Sequence, residues 1–310
     1  MNPAFSVIVF SVTAGAGYGA LVLLALARYF GVVPDLAPDQ MVLAGLAGLV
    51  LVTLGLLSST LHLANPKNAW RSFTRFKTSW LSREAVFAVL FYPVCLLWLY
   101  SEWVSGWTTL TLILGVVTVV IAMLVMLCTP MIYAQLKTIR QWHTFWVPIN
   151  FMLLGFILGA LVLLVLFAWQ SLVYNSFLRW VQILLLAGVV AKVAYYLYIG
   201  RPAGPTINSA LGFTQATVRL LDVGHSSGTF LTDEFGYQVA RAKLLWLRVI
   251  TLICGFVLPL LLISGLVGTL GSGLALLALV VALVGVLAER WLFFAEARHV
   301  VTLYHGAQTT

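Results

Sequence analysis

The sequence predicts an all-α integral membrane protein, a bundle of eight transmembrane helices with both termini on the cytoplasmic side. Three observations predict it. Of 310 residues, 62% are hydrophobic and 8% are charged, with mean hydropathy +1.05, whereas a water-soluble domain carries about 25% charged and about 45–50% apolar residues. The apolar residues fall into eight runs, each near the roughly 20 residues a helix needs to cross about 30 Å of hydrocarbon. The cations lie in the gaps between those runs and favour one side.

The expected spans cover residues 4–29, 40–64, 84–101, 107–130, 147–169, 174–199, 246–267 and 270–296. No Lys or Arg precedes Arg28, so the basic n-region of a cleavable signal peptide is missing and the first span is expected to be retained. Gly15, Gly17 and Gly19 in that span let a neighbouring backbone or a ligand come close. Tight helix packing is the simpler reading, and a dinucleotide fingerprint is excluded because no strand precedes the string. Tyr18, set within it, is a candidate cofactor contact.

The second span ends in SSTLHLANPKNAW and the third begins after SWLSREAVF. His62 and Glu84 are thereby expected at the same membrane face on consecutive helices. Ser82 is the expected cap of the third span, with Glu84 in a first turn where the helix dipole favours a carboxylate by about 0.3–1 kcal/mol. The sixth span carries Lys192 and the eighth carries Glu289 and Arg290, all near the cytoplasmic end. Ionisable groups at a helix centre cost roughly 2.5–3.5 kcal/mol on insertion scales, so they pair, snorkel or serve a pathway. Pairing or snorkelling is the simpler account of Lys192 and Arg290; Glu289 is equally a candidate proton relay.

Orientation follows from counting. Thirteen of the seventeen cations fall on the side that holds residues 67–83, the 200–245 gap and the tail, two (Arg28 and Arg179) fall opposite, and Lys192 and Arg290 lie within spans. By the positive-inside rule the first side is cytoplasmic, so the net charge of +8 reads as topology and no nucleic-acid partner is expected. The chain reads as one transmembrane domain over 1–310. Its 200–245 gap exceeds an ordinary connection and is expected to be a docking platform, the alternative being a lid over the chain's own helices. The tryptophans, Trp98 and Trp142 among them, read chiefly as an interfacial belt, whereas Trp80, between His62 and Glu84, is placed to wall a ring-shaped ligand.

Cys95, Cys128 and Cys254 are isolated, which argues against a disulfide framework, an iron–sulfur cluster or covalent haem. His143, His225, His299 and His305 lie in loops or the tail, so no metal site and no b-type haem are expected. A quinone headgroup, by contrast, needs hydrogen-bond donors for its carbonyls and a route for protons. A histidine and a carboxylate near the membrane edge supply both functions. The structural alternatives are a helix-end His62 satisfied by a backbone carbonyl and a Glu84 held only by the dipole.

The segment HLANPKNAWRSFTRFKTSWLSREAVF resembles the signature of the dimethyl sulfoxide reductase anchor-subunit family, HLG-P followed by a basic loop and SWLSRE. TINSALGF, VRLLDVGHSSGTFLTDEFGYQVARAK and ERWLFFAEARHVVTLYHG extend the resemblance over nearly the whole chain. Ala64 and Asn65 stand where the family usually shows glycine, which alters the bend expected beside His62. The resemblance implies an eight-helix bacterial inner-membrane subunit that anchors a molybdopterin catalytic subunit and a four-cluster iron–sulfur subunit. It further implies exchange of electrons with ubiquinone or menaquinone, no haem in this chain, and His62 and Glu84 at the quinone site. Trp80, Tyr18, Lys192, Glu289 and Arg290 are the further candidate cofactor contacts.

The basic side carries His62 and Glu84, so the resemblance is strongest to anchors whose catalytic partners are cytoplasmic, the sulfite-oxidising branch, in which electrons run from sulfite through the iron–sulfur subunit to quinone. The opposite flux, from menaquinol toward dimethyl sulfoxide, thiosulfate, polysulfide or tetrathionate, is the alternative. A secondary transporter is disfavoured because no two related halves with midplane charges are evident; an inert anchor stands as the third reading.

Overall fold

In the computed structural model, residues 4–61, 63, 65–172, 175–201, 204–222, 227, 243–265 and 270–310 are described. His62, the residue expected to bind a quinone carbonyl, lies outside them, as do Ala64, His225 and residues 228–242 of the long gap. Eight helices are long and apolar enough to cross a membrane: α1 (Phe5–Tyr29), α2 (Pro38–Thr60), α3 (Trp80–Ser105), α4 (Thr109–Ala134), α5 (Trp146–Trp169), α6 (Asn175–Gly200), α7 (Leu244–Ile263) and α8 (Ser272–Ala295). No strand forms among the described residues beyond two isolated bridges, Ile139–His299 and Thr206–Thr309.

Local chemistry sets most helix starts. Pro38 occupies the first turn of α2, where its missing N–H costs nothing. Ser79 and Thr108 accept from the backbone N–H of Ser82 and Thr111 and so cap α3 and α4. The expected cap of the third span is therefore corrected. Ser79, three residues before Ser82, takes that role, while the Ser82 hydroxyl accepts from Arg75 N at 3.1 Å. The helix begins four residues before Glu84 because SWLSRE supplies a serine cap at the earlier position, which leaves Glu84 a full turn inside. Gly106, with φ +59°, ends α3 in a conformation that disfavours any side chain.

Helix α1 is the axis of the bundle. Of its membrane window 72% is buried, and it packs on α2, α4, α5 and α8. The glycine string explains why. A Cβ on Gly17 would meet the Gly48 carbonyl and Val52, and one on Gly19 would overlap the Gly155 carbonyl, so both faces approach backbone to backbone, as small residues permit in lipid. Gly159 meets Ala16 and Ala20 from the α5 side. The pairings Gly17–Val52 with Ala14–Gly55 run α1 and α2 antiparallel, and Gly15–Gly155 with Ala20–Gly159 run α1 and α5 parallel.

Helix α7 widens to a π-helix over Ile253–Val257. Pro259 has no N–H for the Gly255 carbonyl, and its ring crowds that carbonyl; the widened turn brings Gly255 against Gly285 of α8. Two tryptophans depart from the expected belt. Trp98 and Trp142 are buried, the latter donating to the Phe293 carbonyl at 2.9 Å, because each faces other helices and not the rim. In the long gap, a one-turn helix at Ile207–Leu211 is capped by Thr206 and Ser209. It is tied to the tail by Ile207 N to Gln308 O at 3.2 Å and Thr310 N to Pro205 O at 3.3 Å.

Candidate functional site

Cross-helix pairs show which ends share a face. Glu84 meets Thr129 and Ser101 meets Thr111, so the start of α3 lies beside the end of α4. Phe151 near the start of α5 lies against Arg290 near the end of α8, and Lys192 near the end of α6 against Glu289. The start of α7 joins them through Arg248 and Glu296, at 2.9 and 3.0 Å. All these polar groups except the Ser101–Thr111 pair therefore sit toward one rim, the one that carries most of the loop cations.

Glu84 is 5% exposed and makes no ion pair among the described residues. Its carboxylate takes the Thr129 hydroxyl, which also lies 3.2 Å from the Val125 carbonyl. That arrangement serves both protonation states. Ionised, Glu84 accepts from Thr129; protonated, it donates to Thr129, whose own proton turns to Val125. Pro130 follows directly.

Beside Thr129 a cavity of about 20 Å³ opens between α1, α4 and α5, lined by Phe10, Ala14, Tyr18, Met126, Thr129 and Phe151 among others. It has room for one oxygen atom or one water. Tyr18, 2% exposed and edge-on to Phe91 at 4.9 Å, is one of its lining residues, and its hydroxyl has no hydrogen-bond partner among the described residues. An orphaned buried hydroxyl costs roughly 1–3 kcal/mol, which a polar partner would offset.

Lys192, Glu289 and Arg290 meet in one cluster, each 1–2% exposed. Lys192 donates to one Glu289 oxygen and Arg290 Nε lies 2.7 Å from the other. The snorkelling alternative is thereby set aside in favour of pairing. The Arg290 guanidinium stacks over Phe151, 3.5 Å from the ring centroid, and Lys192 lies over Tyr195 at 4.8 Å. Phe151 thus lines the niche and carries a cation over its ring.

Trp80 is not among the residues lining the niche; Arg83 stacks on it at 4.3 Å and holds the preceding turn through the Phe76 and Lys77 carbonyls at 3.0 and 2.8 Å. Sequence reasoning missed Thr129 and Phe151, which look like any other residue of an apolar run. It also missed the pair Arg28–Glu102, 3.5 Å apart at the opposite rim, although a lone cation and a lone carboxylate at the same expected face were available as a signal. Glu102 lies eighteen residues beyond Glu84 on α3, about 27 Å along the helix at 1.5 Å per residue.

Eight apolar helices with their buried polar side chains gathered mainly toward one rim define a multi-pass membrane protein. The chain belongs to the DMSO reductase anchor subunit family (DmsC), whose model matches residues 1–295. It is similar to the C subunit of the sulfite dehydrogenase of Allochromatium vinosum, 33% identical over 98% of this chain and 99% of that one. It is also similar to the C polypeptide of the anaerobic dimethyl sulfoxide reductase of Escherichia coli, 30% identical over 50% of this chain and 54% of the relative.

Proposed function

We propose that this membrane anchor takes electrons released by sulfite oxidation, by way of an iron–sulfur subunit, and delivers them to quinone at the rim that carries Glu84. The soluble partners would be a molybdopterin catalytic subunit and a four-cluster iron–sulfur subunit on the cytoplasmic side of a bacterial inner membrane. The observation that carries this reading is Glu84 itself: a buried carboxylate with no ion pair among the described residues, on a threonine that serves both its protonation states, beside a niche with the orphaned Tyr18 hydroxyl. Near full-length similarity to a sulfite dehydrogenase subunit supports the substrate side.

A bound quinone would supply two-electron, two-proton carrier chemistry. The niche admits one oxygen and not a ring, so Tyr18 would donate to a carbonyl oxygen while the ring lies at the opening. Glu84 would hold and release the proton at its carboxylate, Thr129 would keep that carboxylate oriented in both states, and His62 would serve the other carbonyl. Residues 200–245 would grip the iron–sulfur subunit.

The test is Glu84→Gln in the assembled complex. Sulfite-dependent quinone reduction falls by about 10²-fold or more, the scale of a lost general acid–base group, while the soluble subunits stay attached. Unchanged quinone reduction would favour an inert anchor. Reduction by quinol of an added S-oxide, with no sulfite-driven quinone reduction, would instead place the chain with the dimethyl sulfoxide reductase relative.

A further inference from the structure

The connection between α2 and α3 carries Lys67, Arg71, Arg75, Lys77 and Arg83, with no Asp or Glu anywhere from residue 40 to residue 83. Of these cations only Arg83 is spent on the fold, through the Phe76 and Lys77 carbonyls. Lys67, Arg71, Arg75 and Lys77 are exposed, and their side chains make no hydrogen bond or ion pair among the described residues. Pro66–Phe73 forms a 3₁₀ helix that packs mainly on α3. Side chains three apart eclipse in such a helix, so Lys67, Trp70 and Phe73 share one stripe. Arg71 stands on the next stripe and lies over the Trp70 ring, 5.8 Å from its centroid. Trp70 and Phe73 are 61% and 44% exposed, and Phe76 just beyond them is 41% exposed.

This segment does not stand off from the rim. Arg75 N donates to Ser82 Oγ at 3.1 Å and Arg83 grips the two carbonyls that follow, which folds the 75–77 turn down onto the first turn of α3, a membrane span. Aromatic rings exposed at that level lie where headgroups meet acyl chains, and cations beside them lie at the level of the phosphates. We propose that residues 66–77 are a binding site for anionic phospholipid, with Trp70 and Phe73 entering the boundary below the headgroups while Lys67, Arg71, Arg75 and Lys77 take the phosphates. Topology alone asks for cations on this side but not for exposed aromatics interleaved with them. An acidic soluble partner would match the charge; the bilayer surface matches the charge, the rings and their depth together, and both ends of the connection are tethered to spans. No residue of the Glu84 niche takes part, so the inference stands apart from the quinone reading.

The test reconstitutes the intact complex into phosphatidylcholine vesicles that contain the same minor share of either brominated phosphatidylglycerol or brominated phosphatidylcholine. Bromine quenches tryptophan on contact, and subtracting the emission of Trp70→Phe isolates Trp70. Both lipids are expected to quench it, with phosphatidylglycerol enriched about fivefold over its bulk share, the ratio given by about 1 kcal/mol of attraction at the surface. Lys67→Gln, Arg71→Gln, Arg75→Gln and Lys77→Gln combined should bring that enrichment below about twofold. Lys137→Gln, which removes an exposed cation just beyond the end of α4 and outside the segment, should leave it unchanged. If the quadruple variant fails to assemble, salt decides: raising it must lower the wild-type enrichment, because exposed charges are screened. Equal quenching by the two lipids in wild type, or enrichment that survives the quadruple variant or high salt, would overturn the proposal. So would a Trp70 that neither lipid quenches; loss of the soluble subunits from the quadruple variant in that case would give the surface to a protein partner instead.

Discussion

Among the described residues Thr129 is the single hydrogen-bond donor to Glu84, and that dependence can be measured. Thr129→Val keeps the shape of the side chain but leaves a buried carboxylate without its hydrogen bond, a loss of about 1–3 kcal/mol for the ionised form. The expected outcome is a complex that assembles and reduces quinone more slowly than wild type, with its pH–rate profile displaced toward higher pH because the protonated acid is favoured; a profile identical to wild type would remove Thr129 from the site. A second residue titrates outside the spans. Burial lowers the pKa of His299 below the usual 6.5, and its Nδ1 accepts from Val301 N at 3.0 Å to start the 300–305 turn. The unfolded tail then binds protons more readily than the folded one, so stability is full above pH 6.5 and lost as pH falls through the window below it. The protection of residues 300–310 against hydrogen exchange, corrected for the intrinsic slowing of amide exchange at lower pH, should fall between about pH 6.5 and pH 5, and protection that holds or rises there would contradict the assignment. Glu84 was legible in the sequence because a charge within an apolar run is conspicuous. Thr129 was not, since a threonine can bond its own helix and carries no charge to betray a partner 45 residues away.

At the scale of elements, the glycines of α1 and α5 make the sharpest prediction. Gly19→Val would drive a branched side chain into the Gly155 carbonyl, with no flexible side chain there to yield. Overpacking of this kind typically costs about 1–3 kcal/mol, and at a backbone-to-backbone contact on the bundle axis the upper end is expected. The readout is a lower thermal midpoint for the detergent-solubilised complex; Gly273→Val, at a position with open space around it, is the control that should show no comparable loss. The glycine string was visible before the fold, and tight packing was the simpler account of it. Its partner surface was not visible, because Gly155 and Gly159 pair with α1 only once α5 comes alongside. Span ends were legible to within a few residues where a cap or a proline marked them, as at Pro38 and Thr108. The start of α3 was missed by four residues, since two serines in SWLS compete for one cap. The π-helical turn of α7 escaped notice because its cause is Pro259 acting together with the glycine contact to α8.

For the whole molecule, the gathering of the catalytic candidates at one rim bears on energetics. If electrons and protons enter quinone from the same side, turnover moves no net charge across the bilayer. Sulfite-driven quinone reduction in sealed vesicles that lack other pumps should then build no membrane potential; moving charge against 100 mV would cost about 2.3 kcal/mol per charge. A turnover-dependent potential-dye response would refute the one-rim arrangement. Composition and hydropathy by themselves determined that this chain lives in lipid and crosses it eight times, because in hydrocarbon every backbone polar group must be satisfied within its own helix. Charges within those helices were conspicuous for the same reason. Only the tertiary structure decided what each charge meets: that Lys192, Glu289 and Arg290 form one cluster, that Arg290 lies over Phe151, which lines the niche beside Thr129, and that Tyr18 stands without a hydrogen-bond partner among the described residues. Helix periodicity places a side chain on a face, but which faces meet is set by packing between segments distant in the chain, and no local pattern carries that.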